Sequence, residues 1–330
     1  MSMLPDPSLP LDAATAAGAF ARLLDGGPSD ADIADFLIVM SDRGETAIEI
    51  AAAARAMRDR MIPVSAPAGA IDVCGTGGDG HHTLNVSTAV ALVVAACDVP
   101  VAKHGNRAAS SRSGAADTLE ALGLDLTRAA DIAERSLSDI GICFLFAQNH
   151  HPALKRLGPI RKALNRRTIF NLMGPLANPA GVSRQLIGIA RPAYVPIYAE
   201  ALATLGSERA LVVSGDEGLD ELSVAGGNDV ADVKAGEVIA MCRWSHADAG
   251  LPNHPIEALR GGDAQHNAAA LRALLTGAPG AYRDAVLFNA AAALMVAGAV
   301  TDLRTGAEEA AEAIDKGLAN ALLNCWIAYS

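Results

Sequence analysis

The chain has 330 residues, of which 51% are hydrophobic and 4% aromatic, and its formal charge is −11. This length and apolar content supply a core for one large or two smaller domains and exclude general disorder. The acidic balance, 37 acidic against 26 basic residues, excludes a surface that tracks nucleic acid throughout, and the scarcity of aromatic rings excludes a base-stacking platform.

The N-terminal region reads as helical: Ala14 to Leu24, then Ala31 to Met40 with Ser29 as N-cap, then Glu45 to Arg60. Gly26-Gly27-Pro28 and Arg43-Gly44 break it as short connections, and a linker from Pro63 to Gly69 ends it. Beyond the linker, short apolar runs alternate with helical stretches. Ile71 to Cys74, Val99 to Ala102, Cys143 to Ala147, Leu186 to Ala190 and Ala210 to Val213 read as strands of a mixed, mainly parallel sheet flanked by helices. Arg167 to Met173, followed by Gly174-Pro175, reads as a helix with a stop. The fold class is therefore α/β, a small all-helical domain beside a larger domain with a central sheet. The expected division is residues 1–66 as helical domain, joined by a returning segment at roughly 155–182, with 70–154 and 183–330 as the α/β domain.

Charge is unevenly placed. No acidic residue falls between Asp139 and Glu200, whereas Lys155, Arg156, Arg161, Lys162, Arg166, Arg167, Arg184 and Arg191 do. A locally basic segment in an acidic protein suits a small anionic ligand. Cys74, Cys97, Cys143, Cys242 and Cys325 are scattered without a C-x-x-C pair and read as reduced core residues. The longest apolar runs, near Thr88 to Cys97 and Ala290 to Val300, fall short of the ~20 residues that span a bilayer, so the expectation is a cytoplasmic protein without membrane or nucleic-acid partners.

Two loops carry the chemistry. Gly75-Thr76-Gly77-Gly78-Asp79-Gly80 follows a strand and leads through Thr83, Asn85 and Val86 to Ser87 and Thr88 at a helix start. Backbone N–H groups in such loops approach anions closely, and a helix N-terminus adds a favourable dipole. Asp79 sits oddly beside phosphate unless it meets a sugar hydroxyl or a cation. His81 and His82 read as solvated loop histidines, and Cys74 as a buried hydrophobe. The second loop, Lys103-His104-Gly105-Asn106-Arg107, continues through Ala108 and Ala109 to Ser110, Ser111 and Ser113; Lys103 supplies a point charge and Arg107 a planar fork. Asp220-Glu221 alone reads as an acidic solvated turn; with the phosphate loops it suits magnesium, which takes one or two protein carboxylates and keeps waters.

Together GTGGDG, KHGNR, RTIFNLMGPLANP at Arg167 to Pro179, and Asp220-Glu221 resemble the anthranilate phosphoribosyltransferase family. The resemblance implies transfer of the ribosyl phosphate of phosphoribosyl pyrophosphate (PRPP) to the amine of anthranilate, in tryptophan biosynthesis, by a homodimer joined through the helical domain. It implies PRPP against Gly75, Gly78, Asp79, Thr83, Asn85, Val86, Ser87, Thr88 and the loop from Lys103 through His104, Gly105, Asn106, Arg107, Ala108, Ala109 and Ser110 to Ser111. It implies Mg²⁺ on Ser87, Asp220 and Glu221, and anthranilate near Gly75, Asn106 and Arg161, with His104 and His151 along its channel. Lys103, Asn106 and Arg161 are the implied catalytic residues. Ala115 stands where the family usually has a phosphate-binding serine. Two other readings are a pyrimidine nucleoside phosphorylase, whose family usually shows Lys-His-Ser near its phosphate site, and a non-catalytic nucleic-acid-binding paralogue.

Overall fold

The computed structural model describes residues 4–108 and 112–330. Three helices open the chain: α1 (Ala13–Asp25), α2 (Asp30–Arg43) and α3 (Ala47–Arg58). Each starts where a side chain can take an orphan N–H: Asp12 accepts from Thr15 N, while Ser29 with Asp32 and Thr46 with Glu49 form reciprocal capping boxes. Glu49 is fully buried and also accepts from Arg43 Nη2 at 2.6 Å and Leu11 N at 3.0 Å. Phe20, Leu23, Ile33, Leu37, Met40 and Ile50 fill the centre of this unit.

The remaining elements, in chain order, are β1 (Ile71–Gly75), α4 (Val86–Ala95), β2 (Val101–Gly105), α5 (Ala115–Leu122), α6 (Ala129–Ile140), β3 (Ile142–Phe146), α7 (Ala147–His150), α8 (Leu157–Leu164), β4 (Arg184–Gly188), α9 (Val195–Thr204), β5 (Arg209–Gly215), β6 (Gly227–Lys234), β7 (Glu237–Ser245), α10 (Ala264–Leu275), α11 (Ala281–Ala297), α12 (Leu303–Asp315) and α13 (Leu318–Tyr329). They build a seven-stranded sheet in the order β3-β2-β1-β4-β5-β6-β7, parallel from β3 to β5 and antiparallel beyond. The two longest apolar runs become α4 and α11, buried along nearly their whole length. They cover one face of the sheet. On the other face the helical unit shares a continuous core with Ile187, Val212, Val233 and the α9 residues Tyr198 and Leu202.

Two expectations need correction. Arg167 to Met173 is not a helix but part of a stretch with two single 3₁₀ turns, Ile169–Asn171 and Pro175–Ala177. Asn171 Oδ1 turns back onto Thr168 N at 3.0 Å, and Pro175 has no N–H to continue a helical ladder. The cysteines are all free, but Cys325 is exposed and only Cys143 is buried, because Cys325 falls on the outer side of an amphipathic last helix. Leu157 and Ile160 of α8 lie in the same core cluster as the N-terminal helices.

Strands β1 and β2 part almost as soon as they meet. Ile71 and Val101 are their single pair in register, whereas β1–β4 and β2–β3 each keep five. Side chains take over the missing ladder: Asp72 Oδ1 accepts from His104 N at 3.1 Å, Lys103 Nζ donates to Val73 O at 2.7 Å, and Asn178 Nδ2 donates to Ala102 O and Asp72 Oδ2, both at 2.8 Å. All six residues are buried, and beyond Ile71 and Val101 the strands run unpaired to the ends that carry the two loops.

Asn289 on α11 is fully buried and grips Leu222 twice, accepting from its N–H and donating to its carbonyl, both at 2.8 Å. Asn289→Ala leaves those groups unpaired, which lowers the unfolding free energy by about 1–3 kcal/mol. Urea unfolding measures the loss.

Candidate active site

The glycine loop leaves the end of β1 with Gly77 and Gly78 both at φ 73°, a left-handed conformation that glycine adopts without strain. Its far end is braced by the segment after Leu259, since Leu84 N donates to Leu259 O at 2.8 Å and Thr83 forms a bridge with Arg260. Asn85 is held rather than free. Its Oδ1 accepts from Thr118 Oγ1 at 2.6 Å and Asn267 Nδ2 at 2.8 Å, and its carbonyl accepts from Tyr282 OH at 3.0 Å. Asn85 thus ties the start of α4 to α5, α10 and α11. Val86 and Thr88 are buried, and Thr88 Oγ1 has no partner among the described residues. His82 is exposed, as expected, but His81 Nε2 donates to Glu217 O at 3.0 Å. Burial pushes the Cys74 thiol upward, so it stays protonated.

Asp220 and Glu221 are not a solvated turn. Both are half-buried against the glycine loop, where Asp220 Oδ2 accepts from Gly77 N at 2.6 Å and Glu221 Oε1 from Ser87 N at 3.1 Å. The approach needs glycine beneath it. A Cβ on Gly75 would lie 2.2 Å from Asp220 Oδ2, and one on Gly188, its partner across the β1–β4 ladder, 1.6 Å from Asp220 O. Desolvation first, then the neighbouring carboxylates Asp79 and Asp220 respectively, push Asp220 up to about 7 and Glu221 to about 8. Among the described residues no group of three or more His, Cys, Asp or Glu is placed to hold a metal ion. The acidic pair and the Ser87 hydroxyl offer oxygen donors, the type Mg²⁺ takes.

The second loop is organised by Asp117, whose Oδ2 accepts from Ala108 N at 3.0 Å and Gly114 N at 2.9 Å. Ala109, Ser110 and Ser111 lie outside the described residues. Lys103 is 3% exposed and gives protons to Val73 O and, at 3.3 Å, to His104 O, so its charge acts from beneath the loop. Arg107 turns outward onto Glu120 and Asp117, leaving its fork engaged with protein carboxylates. Asn106 is exposed and accepts from Arg107 N through Oδ1 at 2.8 Å. Gly105 packs on Phe144, and Ala115 lies beside it.

The remaining predicted residues are His104, His151 and Arg161. His104 Nδ1 lies 2.8 Å from Gly174 O, so it carries the proton, and its Nε2 accepts from His151 Nε2 at 3.2 Å. Burial first, then His151 for His104 and His150 for His151, lowers His104 to about 3 and His151 to about 4, so both rings are neutral at pH 7. Arg161 is half-buried over the Phe170 ring at 5.9 Å and has no carboxylate partner among the described residues. Arg167, which the sequence reading left without a role, donates through Nη2 to Gly77 O at 3.0 Å and to Gly78 O. Asp117, Gly188, Asn267 and Arg167 are the residues that sequence reasoning missed. Only Asp117 had a local signal, an acid in the first turn of a helix with a glycine N-cap.

Two loops and an acidic pair lie at the sheet's strand ends beside a helical bundle, and the chain matches a glycosyltransferase family. Residues 68–320 match the glycosyl transferase family α/β domain, and residues 8–61 its helical bundle domain. The chain is 72% identical to the anthranilate phosphoribosyltransferase of Novosphingobium aromaticivorans over 99% of both chains, and 72% identical to that of Sphingopyxis alaskensis over 98% of both. Among solved structures, the Thermus thermophilus enzyme superposes with TM-score 0.94 at 40% identity, covering 100% of this chain and 99% of that one. The Saccharomyces cerevisiae enzyme in complex with PRPP and Mg superposes with TM-score 0.88 at 27% identity, covering 97% and 93%. The chain belongs to the anthranilate phosphoribosyltransferase family, and the phosphorylase and nucleic-acid readings are set aside.

The acidic pair sets a pH dependence. Unfolded carboxylates ionise near pH 4, so the folded chain retains protons that the unfolded chain has released, and stability falls as pH rises through about 7 and about 8. The histidines act in the opposite sense, but only below their unfolded value of about 6.5. Without metal, the melting temperature therefore declines from about pH 6.5 to 8, and this decline flattens when Asp220 and Glu221 are both replaced by Ala. Thermal melts in EDTA measure both.

Proposed function

We propose that PRPP lies in the gap between the glycine loop and the KHGNR loop, and that anthranilate enters from the side of His104, His151 and Arg161. The C1–oxygen bond to pyrophosphate breaks, a bond from the anthranilate nitrogen to C1 forms, and that nitrogen then releases one proton. An arylamine is neutral at pH 7 and nucleophilic, so no strong base is required. The barrier lies in leaving-group departure, and preorganised groups that meet the developing charge lower it. Asp220, Glu221 and Ser87 would hold Mg²⁺, which supplies countercharge to the departing pyrophosphate. Lys103 adds a fixed positive charge below, and Asn106 positions the acceptor amine.

The observation that carries this reading is Arg161, a half-buried guanidinium stacked over Phe170 without a carboxylate partner among the described residues. Desolvation lowers its pKa from the usual value, a cost that a bound aromatic carboxylate would offset through a bidentate pair. The domain division of 1–66 with 155–182 against 70–154 with 183–330 belongs to the same proposal, and α8 packed in the helical core supports it. So does a homodimer through the helical unit, whose Leu9, Val39 and Ile48 are exposed. No helix among the described residues is long and apolar enough to cross a membrane, and five free thiols accord with a cytoplasmic setting.

Arg161→Ala is expected to raise the anthranilate KM at least tenfold, with the PRPP KM within about twofold, consistent with a lost charged hydrogen bond of about 1.5–3 kcal/mol. Steady-state fluorescence of anthranilate consumption separates the two constants. Equal rises in both would remove Arg161 from the carboxylate's seat.

A further inference from the structure

The acidic pair holds two backbone donors that belong to no secondary-structure ladder. Gly77 N lies in the loop, 2.6 Å from Asp220 Oδ2. Ser87 N belongs to the first turn of α4, where N–H groups have no intrahelical partner, and lies 3.1 Å from Glu221 Oε1. Donors of this kind, in a glycine loop and at a helix start, are those that a pyrophosphate takes. In the free chain, carboxylates occupy them.

We infer that Asp220 and Glu221 stand in for pyrophosphate when none is bound, and that Gly77 N–H and Ser87 N–H are donors for its oxygens. The inference rests on the reading of this gap as the PRPP site. The pair holds these donors while crowded by other acids, Asp79 sharing a side-chain hydrogen bond with Asp220. Asp220 lies beside Asp79 and adjoins Glu221, with the Gly77 N–H as its bond across the loop, while Lys103 offsets Glu221. A pyrophosphate arriving without a cation must both displace two carboxylates and add charge beside them. With a cation held by those carboxylates the two donors can pass to the ligand, so metal and pyrophosphate bind with positive linkage. Gly77, to which no substrate contact was assigned from the sequence, becomes a binding residue through its backbone.

Two substitutions at one position separate occupancy from charge. Asp220→Ala removes the charge and vacates Gly77 N–H, whereas Asp220→Asn removes the charge but leaves an amide oxygen able to accept from it. Calorimetric titration of inorganic pyrophosphate in EDTA, above pH 8 where both carboxyl groups are ionised, should show Asp220→Ala binding roughly tenfold more tightly than the unsubstituted chain, and Asp220→Asn gaining less than about threefold. Equal gains in Asp220→Ala and Asp220→Asn, or no gain in either, would overturn the stand-in role. If Asp220→Ala does not fold, Glu221→Ala against Glu221→Gln makes the same comparison at Ser87 N. Misfolding of both alanine variants would mark the pair as structural and equally overturn it. Turnover of PRPP and anthranilate by the unsubstituted chain with Mg²⁺, run alongside, tests the underlying reading by itself: its absence refutes that reading, whereas equal gains refute only the stand-in.

Discussion

The parting of β1 and β2 is the constraint on which the site depends. Two parallel strands of five residues each should pair along their length, yet Ile71 and Val101 are the one pair in register. Asp72, Lys103 and Asn178 fill the opening with side-chain bonds to the carbonyls and N–H groups that the ladder would have used. A buried carboxylate and a buried ammonium are tolerable there because each meets the other's field and several hydrogen bonds at once. Burial raises the Asp72 pKa while Lys103 and Asn178 oppose the rise. The outcome is a cleft at the strand ends, with one anion-accepting loop on each lip, where open α/β sheets commonly bind their ligands.

The segment around Asn178 links that wedge to the helical unit. Asn178 holds Asp72 and Ala102, Gln185 Nε2 donates to Pro175 O at 2.6 Å, Tyr198 OH donates to Leu172 O at 2.8 Å, and Gly174 O fixes the tautomer of His104. A few residues upstream the same stretch presents Arg161 and Arg167, the first over the Phe170 ring and the second on the glycine loop. Each loop is therefore in contact with the element that follows Arg161.

Much of the fold was legible because its signals are local. The caps at Ser29 and Thr46, the alternation of short apolar runs with helices, and the glycine loop after β1 each follow from residues within one turn or strand. The β6–β7 hairpin went unread, since β7 is largely exposed and its pattern carries little burial. The 3₁₀ turn at Ile169 passed for a helix because its apolar residues serve a tertiary interface, not a helical face. At the site, residue types were readable but allegiances were not. Arg107 looked like a phosphate fork and instead pairs with Glu120; Lys103, read as a point charge, lies buried; Gly188, not singled out, seats Asp220. Such contacts join residues tens of positions apart, where periodicity carries no information.

The most direct test of this account is the affinity for PRPP with Mg²⁺ of an Asp72→Ala chain, measured by calorimetry beside its circular dichroism spectrum. Removing the wedge carboxylate frees His104 N and the Asn178 amide, so the lips lose their fixed separation. The account predicts a folded protein with PRPP affinity at least tenfold weaker, in line with the loss of a buried hydrogen-bond pair. Unchanged affinity in the folded variant would contradict it.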